Sequence, residues 1–125
     1  MSKNLTLGVT DGQLAGLPSS PNAVSSQTDQ STKQVEALPL KGSVAETKAV
    51  IINCLIKMGG NTIAAQTDEY IHTVFTSRLL RFKDDVEFYI DATAGQVHFR
   101  SSSRVGHSDL GANRKRYQTF RGFYQ

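Results

Sequence analysis

The chain has 125 residues and 13.7 kDa, the size of one domain rather than two. Its 38% hydrophobic and 20% charged content does not mark a disordered or fibrous chain, and no apolar run nears the roughly 18 residues of a membrane span. The net charge of +3 is uneven: residues 1–97 carry 8 Lys/Arg against 10 Asp/Glu, while residues 98–125 carry 6 against Asp109 alone.

A basic end attracts phosphate, nucleic acid, anionic lipid or an acidic partner, or it forms an ordinary solvated helix face. Cys54 is the only cysteine, which excludes an intrachain disulfide and a cysteine-based zinc site. The lack of disulfides and of a visible secretory signal points to the cytoplasm. The ten aromatic residues all fall between Tyr70 and Tyr124.

Residues 1–42 read as an irregular arm. They hold all three prolines and the glycines Gly8, Gly12, Gly16 and Gly42, with many serines. No period persists there, so the arm cannot fold alone; Leu14, Leu17, Val24, Val35, Leu38 and Leu40 give it the means to dock on a folded body. Residues 43–125 are then expected to form a single α+β domain.

Ser43 and Glu46 have the spacing of a capping box, and Ala45, Ala49, Ile52 and Ile56 repeat at helical intervals. Gly59-Gly60 ends the pattern, which predicts a helix over 44–58. Four strand patterns follow. Asn61 to Thr67 ends at an Asp68-Glu69 turn, and Ile71, Thr73 and Phe75 alternate with Tyr70, His72 and Val74. Val86, Phe88 and Ile90 alternate with Glu87 and Tyr89, and Val97 and Phe99 alternate with His98 and Arg100 across an Asp91–Gly95 turn.

A closing helix is expected from about Ser108-Asp109, with Leu110, Arg114, Tyr117, Phe120 and Tyr124 as its stripe. The expected fold is a two-layer α+β sandwich: a four-stranded antiparallel meander covered by two helices and preceded by the arm.

Chemistry concentrates in two stretches. Asp84 and Asp85 open a strand and point in different directions, while Glu87 shares a side with Asp85. Such carboxylates can ligate a metal or move protons, but more often they pair with arginines. The second stretch, Arg100 to Arg114, joins the last strand to the last helix. Gly106 and Gly111 have P-loop spacing, but Ala112-Asn113 follow instead of Lys and Ser/Thr, which excludes that nucleotide site. Arg100 and Arg104 offer bidentate donors to an anion, whereas Asp109 would itself occupy a positive helix end.

His107 is the one histidine beside this loop suited to acid–base work. Ser103, His107 and Asp109 lie too close in sequence for the usual convergent triad. Arg114-Lys115-Arg116 and Arg121, with neighbouring aromatics, can contact nucleic acid, but no nucleic-acid motif accompanies them and the aromatics fit a core better.

Arg81-Phe82-Lys83-Asp84-Asp85-Val86-Glu87-Phe88 and Arg100-Ser101-Ser102-Ser103-Arg104-Val105-Gly106-His107-Ser108-Asp109-Leu110-Gly111-Ala112-Asn113-Arg114 resemble the motifs of domain-of-unknown-function family fourteen-ninety-nine. Ser20-Pro21-Asn22-Ala23-Val24-Ser25-Ser26 is similar to a third segment, although Ala23 stands where that family usually has Cys. The resemblance covers about residues 17–120. It implies a shared site around Asp84, Asp85, Glu87, Arg100, Ser101, Ser103, Arg104, Ser108, Asp109, Asn113 and Arg114, and an arm that belongs to the domain. Many relatives carry an N-terminal membrane or lipoprotein segment, which this chain does not resemble.

Three functions follow as expectations. First comes a small non-enzymatic binding or structural module whose polar site takes an anionic small molecule or an acidic protein, with no cofactor. Second is a hydrolase-type or metal-assisted enzyme using Asp84 or Asp85 with His107. A nucleic-acid or acidic-partner adaptor through the basic helix is third.

Overall fold

A computed structural model describes residues 7–105 and 111–125. The first strands are short: β1 (Val9–Thr10), β2 (Gln13–Leu14), β3 (Ala23–Ser25) and β4 (Leu38–Pro39). Then come α1 (Val44–Met58), β5 (Asn61–Thr67), β6 (Tyr70–Thr76), β7 (Lys83–Asp91), β8 (Gln96–Ser103) and α2 (Ala112–Tyr124).

The α1 helix starts and stops where its sequence dictates. Ser43 Oγ accepts from the Glu46 amide, and Glu46 Oε1 accepts from the Ser43 amide, closing the capping box. At the other end Gly59 has φ +69° and its amide bonds the Leu55 carbonyl. The strands β5 to β8 pair successively and antiparallel, each joined by a short turn.

The sheet is larger than the expected four strands. Its order is β3-β8-β7-β6-β5, with β4 also paired to β8. Ala23–Ser25 lies along Ser102–Arg100, and Leu38-Pro39 lies along Val97-Gln96. The arm is therefore not wholly irregular. Left as an edge, β8 would expose a row of unpaired amides and carbonyls, and two arm segments take up those groups.

The arm also supplies a separate hairpin, β1–β2. Its turn is Asp11-Gly12, with φ of +52° and +75°. Two consecutive left-handed residues match the right-handed twist of a tight hairpin, and Asp-Gly is a favoured pair for them.

Alternation sorts the side chains. Ile71, Thr73 and Phe75 of β6, Val86, Phe88 and Ile90 of β7, and Val97, Phe99 and Ser101 of β8 are buried. The apolar members pack with Ile51, Cys54 and Leu55 of α1 and Tyr117, Phe120 and Tyr124 of α2. Phe120 lies 4.7 Å from the Phe88 ring centroid, and Phe99 meets Tyr117 edge-on at 5.2 Å. The aromatic stripe of α2 is thus core.

The α2 helix begins at Ala112, with Gly111 as N-cap at φ +82°. The expected start at Ser108-Asp109 lies outside the described residues, as does Leu110.

Candidate functional site

Neighbouring residues of an extended strand face opposite ways, so the run from Asp84 to Glu87 feeds two different clusters. Asp84 belongs to the helix side of the sheet. Asp85 and Glu87 belong to the far side.

On the helix side, Asp84 Oδ2 lies 2.8 Å from Nη1 of Arg116. The same guanidinium sits 4.8 Å from the Phe75 ring centroid, a cation–π contact. Its Nη1 also donates to Asn113 Oδ1 at 3.0 Å and to Ser101 Oγ at 3.3 Å. Ser101 Oγ donates to Asn113 Oδ1 at 2.5 Å, and Asn113 Nδ2 donates to Ser103 Oγ and to the Asn22 carbonyl. Asn113 is fully buried, so these bonds compensate a side-chain amide that has left water. Asn22 reaches back across the rim: its side-chain amide donates to the Val105 carbonyl, and its own carbonyl accepts from the Ser103 amide at 3.0 Å. One network therefore joins the arm, β7, β8 and α2.

On the far side, Asp85 receives both Nε and Nη2 of Arg104, at 3.0 and 2.9 Å. His72 Nε2 lies 2.8 Å from Oδ1 of the same carboxylate. Burial works to raise the Asp85 pKa. The hydrogen bonds from His72 and Arg104 outweigh it and hold the carboxyl well below its usual range. The same pairing raises the Arg104 guanidinium.

Glu87 is fully buried. It accepts from the Tyr70 hydroxyl, from the Gly8 amide at 2.7 Å, and from Arg100 Nη1 at 3.4 Å. Arg100 then donates to the Ala15 and Gly16 carbonyls, both at 3.0 Å. The arm thus lies over this half of the sheet. Burial first, and then Glu87, push the Tyr70 phenol far above its ordinary value.

The family resemblance implies one site around Asp84, Asp85, Glu87, Arg100, Ser101, Ser103, Arg104, Ser108, Asp109, Asn113 and Arg114. The structure brings Asp84, Ser101, Ser103 and Asn113 together on one face, and Asp85, Glu87, Arg100 and Arg104 on the other. Among the described residues Arg114 meets neither group: it donates to the Thr32 and Gln34 carbonyls of the arm. Ser108, Asp109 and His107 lie outside the described residues.

Members absent from the expected site are Tyr70, His72, Phe75, Asn22 and Arg116. Cross-strand register supplies the signal for two of them: His72 pairs opposite Glu87 and sits diagonally to Asp85, while Tyr70 sits diagonally to Glu87.

Several residues of the shared motif thus bond the arm or α2 to the sheet: Glu87 and Arg100 reach the arm, and Asp84, Ser101 and Ser103 reach α2. A family model described as "Protein of unknown function (DUF1499)" matches residues 13–122, which takes in the β2 strand, the rest of the arm and nearly all of α2. The chain belongs to the DUF1499 family. No curated protein matches it.

Membership gives the DUF1499 domain no assigned activity. Among the described residues, no helix is long and apolar enough to cross a membrane. No group of three or more His, Cys, Asp or Glu among them is placed to hold a metal ion. The basic residues of α2 are largely engaged within the fold: Arg114 with the arm, Arg116 with Asp84, and Arg121 with Glu36 at 3.3 Å.

Proposed function

We propose that this DUF1499 domain is a small non-enzymatic binding or structural module. Its inner Asp/Arg/Ser residues act as fasteners, making residues 1–42 part of the same domain as residues 43–125. Arg104 at the rim receives an anionic small molecule or the acidic end of a partner protein.

One observation carries this reading. Asp84, Asp85 and Glu87 are each held by an arginine, while the Arg104 side chain keeps 43% of its surface exposed. A carboxylate locked by a guanidinium is a poor proton acceptor. An arginine with a partly exposed side chain, oriented by Asp85 through Nε and Nη2, retains capacity for a second anion.

The test is anion titration of the protein followed by the Arg104 guanidinium resonances in NMR. Inorganic phosphate or a small dicarboxylate is expected to shift them at constant ionic strength, and Arg104→Lys to weaken the effect. Resonances that stay put with both anions would remove the ligand-binding half of the reading. Activity of the protein on a phosphate or carboxylate ester, abolished by Asp84→Asn, would overturn its non-enzymatic half.

A further inference from the structure

The β6–β7 turn carries chemistry that the fold does not use. Residues 77–83 read Ser-Arg-Leu-Leu-Arg-Phe-Lys, and each of them is exposed. Leu79 is 92% exposed, Leu80 68% and Phe82 47%. Three large apolar side chains in four positions is a concentrated patch, not the scattered exposure common on protein surfaces.

The turn has a definite shape. The Ser77 amide donates to the Phe82 carbonyl at 2.9 Å, and Ser77 Oγ accepts from the Phe82 amide at 2.9 Å. Arg81 takes the left-handed conformation at φ +58°, uncommon for a residue with a side chain. These features close the segment into a projecting loop with Leu79 and Leu80 between its ends.

The charges carried by the loop itself have one sign. Arg78, Arg81 and Lys83 interleave with the apolar residues, and no acidic residue occurs from Tyr70 to Lys83. The next two residues are acidic, but Asp84 is buried against Arg116 and Asp85 against Arg104. Arg104 lies at the same end, since its amide bonds the Lys83 carbonyl, and its charge is balanced by Asp85.

From this arrangement we infer that the loop 77–83 docks on an anionic lipid surface. Leu79, Leu80 and Phe82 enter the headgroup–acyl boundary, and Arg78, Arg81 and Lys83 remain at the level of the lipid phosphates. A projecting apolar tip suits a deformable bilayer, and long cationic side chains can lie along apolar surface while their heads stay hydrated. One short wedge binds weakly by itself. Attraction of basic groups to anionic headgroups, about fivefold for each cation, supplies the rest.

The experiment is vesicle co-sedimentation with the whole chain. It uses phosphatidylcholine vesicles and vesicles of phosphatidylcholine mixed with phosphatidylglycerol, at low and at moderate salt. Binding to the mixed vesicles is expected, with little to phosphatidylcholine alone, and it should weaken as salt rises. L79S/L80S should lower partitioning about tenfold or more, and R78E/R81E by a similar factor, with melting temperatures unchanged because the loop is outside the core. No sedimentation with mixed vesicles overturns the inference. So does equal binding to both vesicle types, or binding that L79S/L80S leaves intact. A dimer dissolved by L79S/L80S, without vesicle binding, would instead assign the loop to a second copy of the chain.

Discussion

Glu87 shows how much a single side chain decides in this molecule. It is a fully buried carboxylate, and its partners come from β6, β8 and the arm. Glu87→Gln keeps the shape but leaves the buried Arg100 guanidinium without a counter-charge. The expected loss is about 3–5 kcal/mol in urea denaturation. Glu87→Leu with Arg100→Met removes both charges together and should recover part of that loss.

Asp85 makes a different forecast, because Arg104 is partly exposed and solvent screens the pair. Its folded pKa is depressed. Its contribution is therefore present above the unfolded value near 3.9 and is lost as pH falls through the folded value. At neutral pH, Asp85→Asn should cost about 1–3 kcal/mol. That difference from wild type should shrink steadily as the solution is acidified from about pH 5, followed by thermal unfolding.

At the scale of elements, legibility followed length. The α1 helix ran from its capping box to its glycine stop as the pattern required. The strands β5 to β8 were visible because seven to nine residues display a period of two. The strands β3 and β4 were invisible because three or two residues cannot display a period; their assignment depends on the free edge of β8, a tertiary fact. The Asp11-Gly12 turn is a local signal, a favoured hairpin pair that overall composition does not display.

In the candidate site, the alternation along β7 is legible in the sequence, whereas the partners that arrive from α2 and the arm are not. Period-two alternation already separates Asp84 from Asp85 and puts Glu87 on the side of Asp85; it does not carry the partner each one meets, Arg116 of α2 for Asp84 and Arg104 beyond β8 for Asp85. Asn113 tests whether the helix-side network is structural. It links Ser101 and Ser103 of β8, Asn22 of the arm and Arg116 of its own helix. Asn113→Ala should leave several buried polar groups unsatisfied, at a cost of about 3 kcal/mol or more. Hydrogen exchange should speed up in both α2 and β3, since both are tied through this residue. Faster exchange in α2 alone would separate the arm from the network.

Taken whole, the molecule depends on its first segment to cover the far side of the sheet. The β1–β2 hairpin brings the Gly8 amide to Glu87 and the Ala15 and Gly16 carbonyls to Arg100, and its Leu14 is buried. A chain lacking residues 1–17 retains every residue of α1, β5 to β8 and α2, yet it opens Glu87, Arg100 and Tyr70 to water. Three hydrogen bonds to charged groups are lost, each worth about 1.5–3 kcal/mol and not simply additive. The truncated protein should be less stable by at least about 3 kcal/mol, which for this size lowers the melting temperature by roughly 10 °C. It should also change how one tyrosine ionises. Water at Tyr70 relieves the burial that raises its phenol, so an ultraviolet titration should show one tyrosine returning toward the ordinary value near 10. A melt that falls while Tyr70 stays shifted would mean that β6 and Glu87 bury the phenol unaided. An unchanged melt would mean that the hairpin rests on the sheet without stabilising it.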